Sequence, residues 1–264
     1  MTTCNRSFCF GLACAILAPL TSSAAGPDHP GTGWQPGFTL APYGWLAGLD
    51  GTVESNTDEP DDGSITLPPQ FEVSTDEEWS EIGFMFYGEW RGERWTAFFD
   101  SVWANVSQEA DVKLGNRLPA SEAEVTFDGN IYQIGIGYRV LDWDRSFVTL
   151  YGGGRYYDLE TEIEASGGIL PGKIGASSDL SWSDAVLGAR WSHYIGHRWN
   201  VSVLSDYGFG DSESAWQVFG TISYAFGWGS ILGGYRHMDL HYETSGSTIN
   251  LSLSGPFIGA SFSF

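Results

Sequence analysis

Residues 198–226 read RWNVSVLSDYGFGDSESAWQVFGTISYAF. On either side of the DSES that divides the stretch, large apolar side chains alternate with small or polar ones. Trp199, Val201, Val203, Tyr207 and Phe209 oppose Asn200, Ser202, Leu204 and Asp206; Trp216, Val218, Ile222, Tyr224 and Phe226 oppose Gln217, Thr221 and Ser223. A repeat of two residues belongs to the β-strand, whose side chains point to opposite faces in turn. Strands of soluble sheets average about 5 to 6 residues, whereas a tilted strand needs about 9 to 11 to cross a bilayer. These runs have the longer length, so the stretch predicts two membrane-crossing antiparallel strands joined by a polar turn.

The same pattern extends in both directions. Ten segments alternate with period two, at approximately 38–53, 80–91, 95–110, 125–139, 146–162, 179–194, 198–210, 214–226, 229–244 and 247–264, with no sustained helical period between them. Within them, Ile82, Phe84, Phe86 and Trp90 oppose Gly83, Met85, Tyr87 and Glu89, and Ala185, Leu187, Ala189 and Trp191 oppose Asp184, Val186, Gly188 and Arg190. Connections are very short at residues 91–94, 195–198 and 227–229 and long after the first, third and fifth segments. Tight turns on one side, longer loops on the other and an even strand number are the pattern of outer-membrane barrels. The predicted fold is therefore all-β, a transmembrane antiparallel up-and-down β-barrel of ten strands, with eight or twelve as alternatives. A secreted β-sandwich also alternates, but it would leave such long strands with unpaired edges.

The chain opens with MTTCNR, runs apolar through SFCFGLACAILAPL and reaches the small residues TSSAAG. That order reads as a cleaved secretory signal over 1–25, followed by a periplasmic N-terminal segment over 26–37 and the barrel over 38–264. The apolar stretch is short of the roughly 20 residues that a spanning helix needs. Cys4, Cys9 and Cys14 are the chain's three cysteines and all lie within the signal. The exported protein then has no disulfide, thiolate ligand or cysteine nucleophile. The formal net charge of −21 excludes nucleic acid as an expected partner, because phosphate binding needs a basic surface. The 12 Trp, 12 Tyr and 16 Phe suit an aromatic girdle at the two membrane interfaces.

Three stretches, LAPYGWLAGLDGTV (40–53), GGYRHMDLHYE (233–243) and GPFIGASFSF (255–264), resemble the small outer-membrane β-barrel proteins of Gram-negative bacteria grouped around the outer membrane protein A barrel. The resemblance implies a place in the Gram-negative outer membrane and contact with its lipid and lipopolysaccharide. It also implies recognition of the last strand by the barrel-insertion machinery. Ile258, Ala260, Phe262 and Phe264 would form that signal. The peptidoglycan-binding domain of the group does not follow the barrel, so the resemblance implies no anchoring role.

Strand parity sends Glu89, Asp100, Arg139, Arg155, Arg190, Asp206 and Arg236 inward. A barrel of this size is only slightly wider than one its own side chains fill, and a guanidinium fork matches two carboxylate oxygens. A paired network that plugs the lumen is favoured over a charged constriction that filters small solutes. His237, Asp239 and His241 share an outward face at i, i+2, i+4. Their residue types suit a zinc-like ion, yet an exposed rim accounts for them, and no metal or cofactor is expected. The acidic stretches ESNTDEPDD (54–62) and TDEEWSE (75–81) read as a solvated external loop able to bridge divalent cations weakly.

Function is then expected to be structural or porin-like for small solutes. A surface-binding barrel acting through its acidic loops is the first alternative, and an omptin-like or lipid-modifying outer-membrane enzyme the second. The residues available to the latter are Asp206, Asp211, His237 and Asp239, with no GxSxG or HExxH pattern beside them. A non-enzyme is the expectation.

Overall fold

A computed structural model describes residues 36–55, 70–73, 81–112, 121–165, 174–244 and 247–264. The expected signal peptide, most of the segment after it and nearly all of both acidic stretches lie outside the described residues. So does the divalent-cation contact expected of those stretches.

Among the described residues eleven strands follow one another: β1 (Gly37–Ser55), β2 (Gln70–Val73), β3 (Glu81–Arg91), β4 (Trp95–Val112), β5 (Ser121–Trp143), β6 (Ser146–Ala165), β7 (Ile174–Ile195), β8 (Trp199–Gly210), β9 (Ser214–Ala225), β10 (Ser230–Thr244) and β11 (Ser247–Ser263). Every pairing is antiparallel between neighbours, and β1 closes the sheet against β11 from Thr39 opposite Ser263 to Ser55 opposite Ser247. Ten strands make the barrel. The extra strand, β2, prolongs the wall above β3 by pairing with Gly51 to Glu54 of β1.

The alternation that predicts the strands also sets their faces. Outward stand Phe84, Leu187, Val203, Ile222 and Ile258, all exposed, with Ile258 at 69%. Inward stand Met85, Glu89, Asp184, Val186, Asp206 and Gln217, all buried. A one-residue slip anywhere would exchange the two sets, so the apolar outside and packed inside together hold the register. Exposed aromatic residues gather near the short turns, among them Trp90, Trp95, Trp143, Trp199, Trp228 and Phe264.

At the turn end the chain reverses in a few residues. Asp144 (φ 52°) and Gly196 (φ 64°) take the left-handed conformation that such turns need, one the short Asp side chain tolerates. Phe264 is held at this end: its N–H donates to Phe38 O at 2.9 Å, and its carbonyl accepts from Phe38 N–H at 3.0 Å. At the opposite, loop end the rim is uneven. The strands β4 to β7 have 18 to 23 residues, while β8 and β9 have 12 each, so one side of the wall stands well above the other.

Candidate functional site: the filled lumen

Inward side chains from facing strands meet on the barrel axis, and they sort into three levels. At the turn end, Glu89 is the centre. Arg190 donates to Glu89 Oε1 at 2.5 Å and to the Tyr87 hydroxyl at 2.7 Å, Thr96 donates to Glu89 Oε1 at 2.8 Å, and the Arg91 guanidinium lies 3.5 Å from Oε2.

Above this level, past Phe98 and Tyr151, an unbroken polar chain crosses the lumen. Tyr151 donates to Asp206 Oδ2 at 2.7 Å, and Arg155 pairs with Asp206 Oδ1 at 2.5 Å. Arg155 also donates to Gln133 Oε1 at 2.7 and 3.1 Å. Gln217 gives its amide hydrogens to Gln133 Oε1 at 3.1 Å and Asp206 Oδ2 at 2.6 Å, and accepts from Arg236 at 2.8 and 3.2 Å. Arg236 reaches Asp100 Oδ2 at 2.9 Å, and Tyr43 closes the chain by donating to Asp100 Oδ1 at 2.8 Å. These eight residues come from seven of the ten barrel strands.

Each ion pair here is taken out of water, which costs several kcal/mol per ion unless the remaining donors and acceptors are used. The two glutamines use them, linking the Arg155–Asp206 pair to the Arg236–Asp100 pair. Arg236 also lies over the Trp45 and Phe219 rings at 5.8 and 5.6 Å, where a guanidinium is attracted to the π-face. Gly188 permits the close approach of Tyr151 to Asp206. A Cβ there would lie 2.4 Å from Tyr151 Cζ and 2.6 Å from Asp206 Cβ.

The loop-end level is apolar. Trp45, Met85, Val102, Ile131, Tyr157, Leu159, Trp182, Met238, Leu240, Leu251 and Leu253 form one buried cluster. Trp182 is stacked between Tyr157 and Tyr242 at 4.7 and 4.5 Å. It donates to Ser212 Oγ at 2.7 Å, and Ser212 N–H donates to Asp184 Oδ1 at 2.9 Å. By these bonds the β8–β9 turn is drawn inward over the low side of the rim, and Ser212 is buried although it lies in a turn. Among the described residues, Asp184 Oδ2 is the buried side-chain oxygen without a hydrogen-bond partner.

Between the levels, Tyr43, Tyr87, Phe98, Asp100, Gln133 and Leu204 line a cavity of about 30 Å³.

The structure thus brings together six of the seven charged residues that parity sends inward, in two groups: Glu89 with Arg190, and Asp100, Arg155, Asp206 and Arg236 in the crossing chain. Arg139 stands apart. It lies at the turn end beside a register shift between Arg139 and Leu141. There it pairs with Asp142 at 3.2 Å, donates to Glu93 O at 2.6 Å and covers the Phe147 ring at 5.3 Å. Sequence reasoning overlooked Gln133, Tyr43, Tyr151 and the linking role of Gln217. All four share inward parity with the charges, and that parity is the signal that identifies them.

The outward trio separates as well. His237 packs on Trp216 at 4.8 Å, while His241 turns to Glu213 and Glu243 rather than to Asp239. Nor do Asp206, Asp211, His237 and Asp239 meet. Asp206 is buried in the lumen, Asp211 bonds the Ser183 N–H at 3.2 Å on the rim, and the other two stand on the outer wall.

No family model and no curated protein matches the chain. Solved structures do. The outer membrane protease OmpT of Escherichia coli aligns over 89% of this chain and 100% of its own at 10% identity, with a TM-score of 0.55. The outer membrane protein OprG of Pseudomonas aeruginosa (8% identity, 88% and 98% covered, TM-score 0.38) and the attachment invasion locus protein Ail of Yersinia pestis (11%, 86% and 100%, TM-score 0.36) are also similar. At such identities the likeness is one of fold. The OmpT match is to the same closed, up-and-down architecture.

Proposed function

We infer that this chain is an integral protein of a Gram-negative outer membrane, exported by a cleaved signal peptide, whose barrel serves a structural role with its lumen closed at rest. One observation carries the reading: a hydrogen-bonded chain from Tyr151 through Asp206, Arg155, Gln133, Gln217 and Arg236 to Asp100 and Tyr43 ties seven strands across the lumen. A pore selects by leaving a path lined with charge, and here the charges spend their bonds on each other. In that class of narrow porin-like barrels, solutes would pass only if the polar chain parted and the apolar level above it opened.

The exposed apolar wall faces lipid, and the aromatic residues near the short turns form the girdle at the periplasmic interface. Both termini then lie in the periplasm and the loop end faces outward, in contact with lipopolysaccharide. The acidic stretches of the first long loop would meet divalent cations there. Ile258, Ala260, Phe262 and Phe264 supply the strand that the insertion machinery reads. Three of the four are exposed on the lipid side, and Ala260 is half-buried.

The reading is tested by gel migration with and without boiling, together with uptake of small sugars by proteoliposomes. A folded band that shifts on boiling, with uptake no faster than in empty vesicles, is expected. Identical migration would overturn the membrane barrel, and rapid uptake would overturn the closed lumen. Deleting Phe264 should lower the yield of folded barrel much more than it lowers export.

A further inference from the structure

The low side of the rim carries a group of side chains that the lumen does not use. Glu213 lies in the β8–β9 turn, and its N–H donates to His241 O at 3.0 Å, so the backbone fixes the turn beside β10 independently of any side chain. His241 and Glu243 share the outward face of β10 at i, i+2. The imidazole sits between two carboxylates, with Nε2 at 2.6 Å from Glu213 Oε2 and 3.6 Å from Glu243 Oε1. Its other nitrogen, Nδ1, is bonded to the side-chain carbonyl of Asn250 on β11. One ligand atom from each of the three residues lies within 4.8 Å of the others.

We propose that Glu213, His241 and Glu243 form a binding site for a borderline divalent transition ion, Zn²⁺ above all, which clips the β8–β9 turn to β10 at the outer rim. Three features of the chemistry agree. Bonds of about 2.0 to 2.2 Å in a tetrahedral shell space neighbouring ligand atoms by about 3.4 Å, between the two distances seen here. Glu213 is the most exposed of the three side chains and has room to withdraw by the fraction of an ångström required. Asn250 accepts the Nδ1 proton, the bond by which a metal-binding histidine is held in the tautomer that leaves the Nε2 lone pair for the ion. Two carboxylates and a neutral imidazole balance a divalent charge, and the nitrogen ligand disfavours Mg²⁺ and Ca²⁺, which take oxygen shells. The fourth position opens to solvent. The metal displaces the proton shared between His241 and Glu213, so the ion pair and the metal site are alternative states of one cluster.

The full chain, folded in detergent micelles, is titrated with ZnCl2 against a chromophoric chelator, with MgCl2 in excess. The proposal predicts one tight Zn²⁺ per barrel, lost in His241→Ala and weakened roughly 10- to 100-fold in Asn250→Ala, whose side chain touches no metal. All variants should keep the heat-modifiable folded band, because these side chains lie outside the packed lumen. Absence of tight binding in the parent chain would overturn the proposal and leave an ion pair only. Tight binding that survives His241→Ala would also overturn it, by placing the site elsewhere on the acidic surface.

Discussion

The two upper levels of the lumen are filled by opposite means. Midway, Arg155, Asp206, Gln133, Gln217, Arg236 and Asp100 occupy the axis with paired charge and amide bridges. Nearer the loops, Trp45, Met238, Leu240 and Leu253 fill it as a soluble protein fills its core. The apolar level is tolerant, since a missing side chain there leaves a void that neighbours partly close. The polar level is not, because losing one partner strands a buried charge. The same barrel therefore closes its axis twice, by packing near the loops and by paired charge midway.

Breaking the polar level gives the largest expected effect. Arg155→Ala should lower the folding free energy in micelles by about 3 to 5 kcal/mol in a urea titration, since Asp206 is left uncompensated. Breaking the apolar level is the matched control. Met238→Ala should cost about 2 to 5 kcal/mol and leave the axis closed, because the ionic chain beneath it is intact. Gly188→Ala should cost about 1 to 3 kcal/mol by driving Tyr151 from Asp206, and Tyr151→Phe combined with it should add little. The double replacement Arg155→Met with Asp206→Leu sharpens the contrast further. It should recover only part of the stability lost in Arg155→Ala, because it removes the uncompensated charge but takes the acceptor from Tyr151 and Gln217. Arg139→Ala should change stability by no more than about 1 kcal/mol, because its partner Asp142 is half in solvent.

The difference between the levels also explains what could be read in advance. Strand faces were legible because a one-residue slip is so costly that the sequence must alternate strictly; Phe84 against Met85 and Leu187 against Val186 suffice to orient two strands. The inward charges followed from the same parity. Their partners did not, because parity gives direction and not height along the axis. Arg139 points inward yet lies too near the turn end to join the network. The linking residues Gln133 and Gln217 carry no charge and so gave no electrostatic signal, although they hold the two ion pairs together. The four-residue β2 was too short to show a period. His237, Asp239 and His241 are regular in sequence, but Glu213 approaches His241 from a turn 28 residues earlier in the chain, a contact that only the folded β8–β9 turn creates.

The closed lumen is tested most directly by single-channel recording in planar bilayers, with the parent chain and Arg155→Ala/Arg236→Ala measured side by side. A parent shown to be folded by its heat-modifiable band should be silent, and the folded double variant should stay silent while the apolar level above it is intact. Resolved steps in the folded parent would contradict the closed lumen, because neither the polar chain nor the apolar level would then close the barrel.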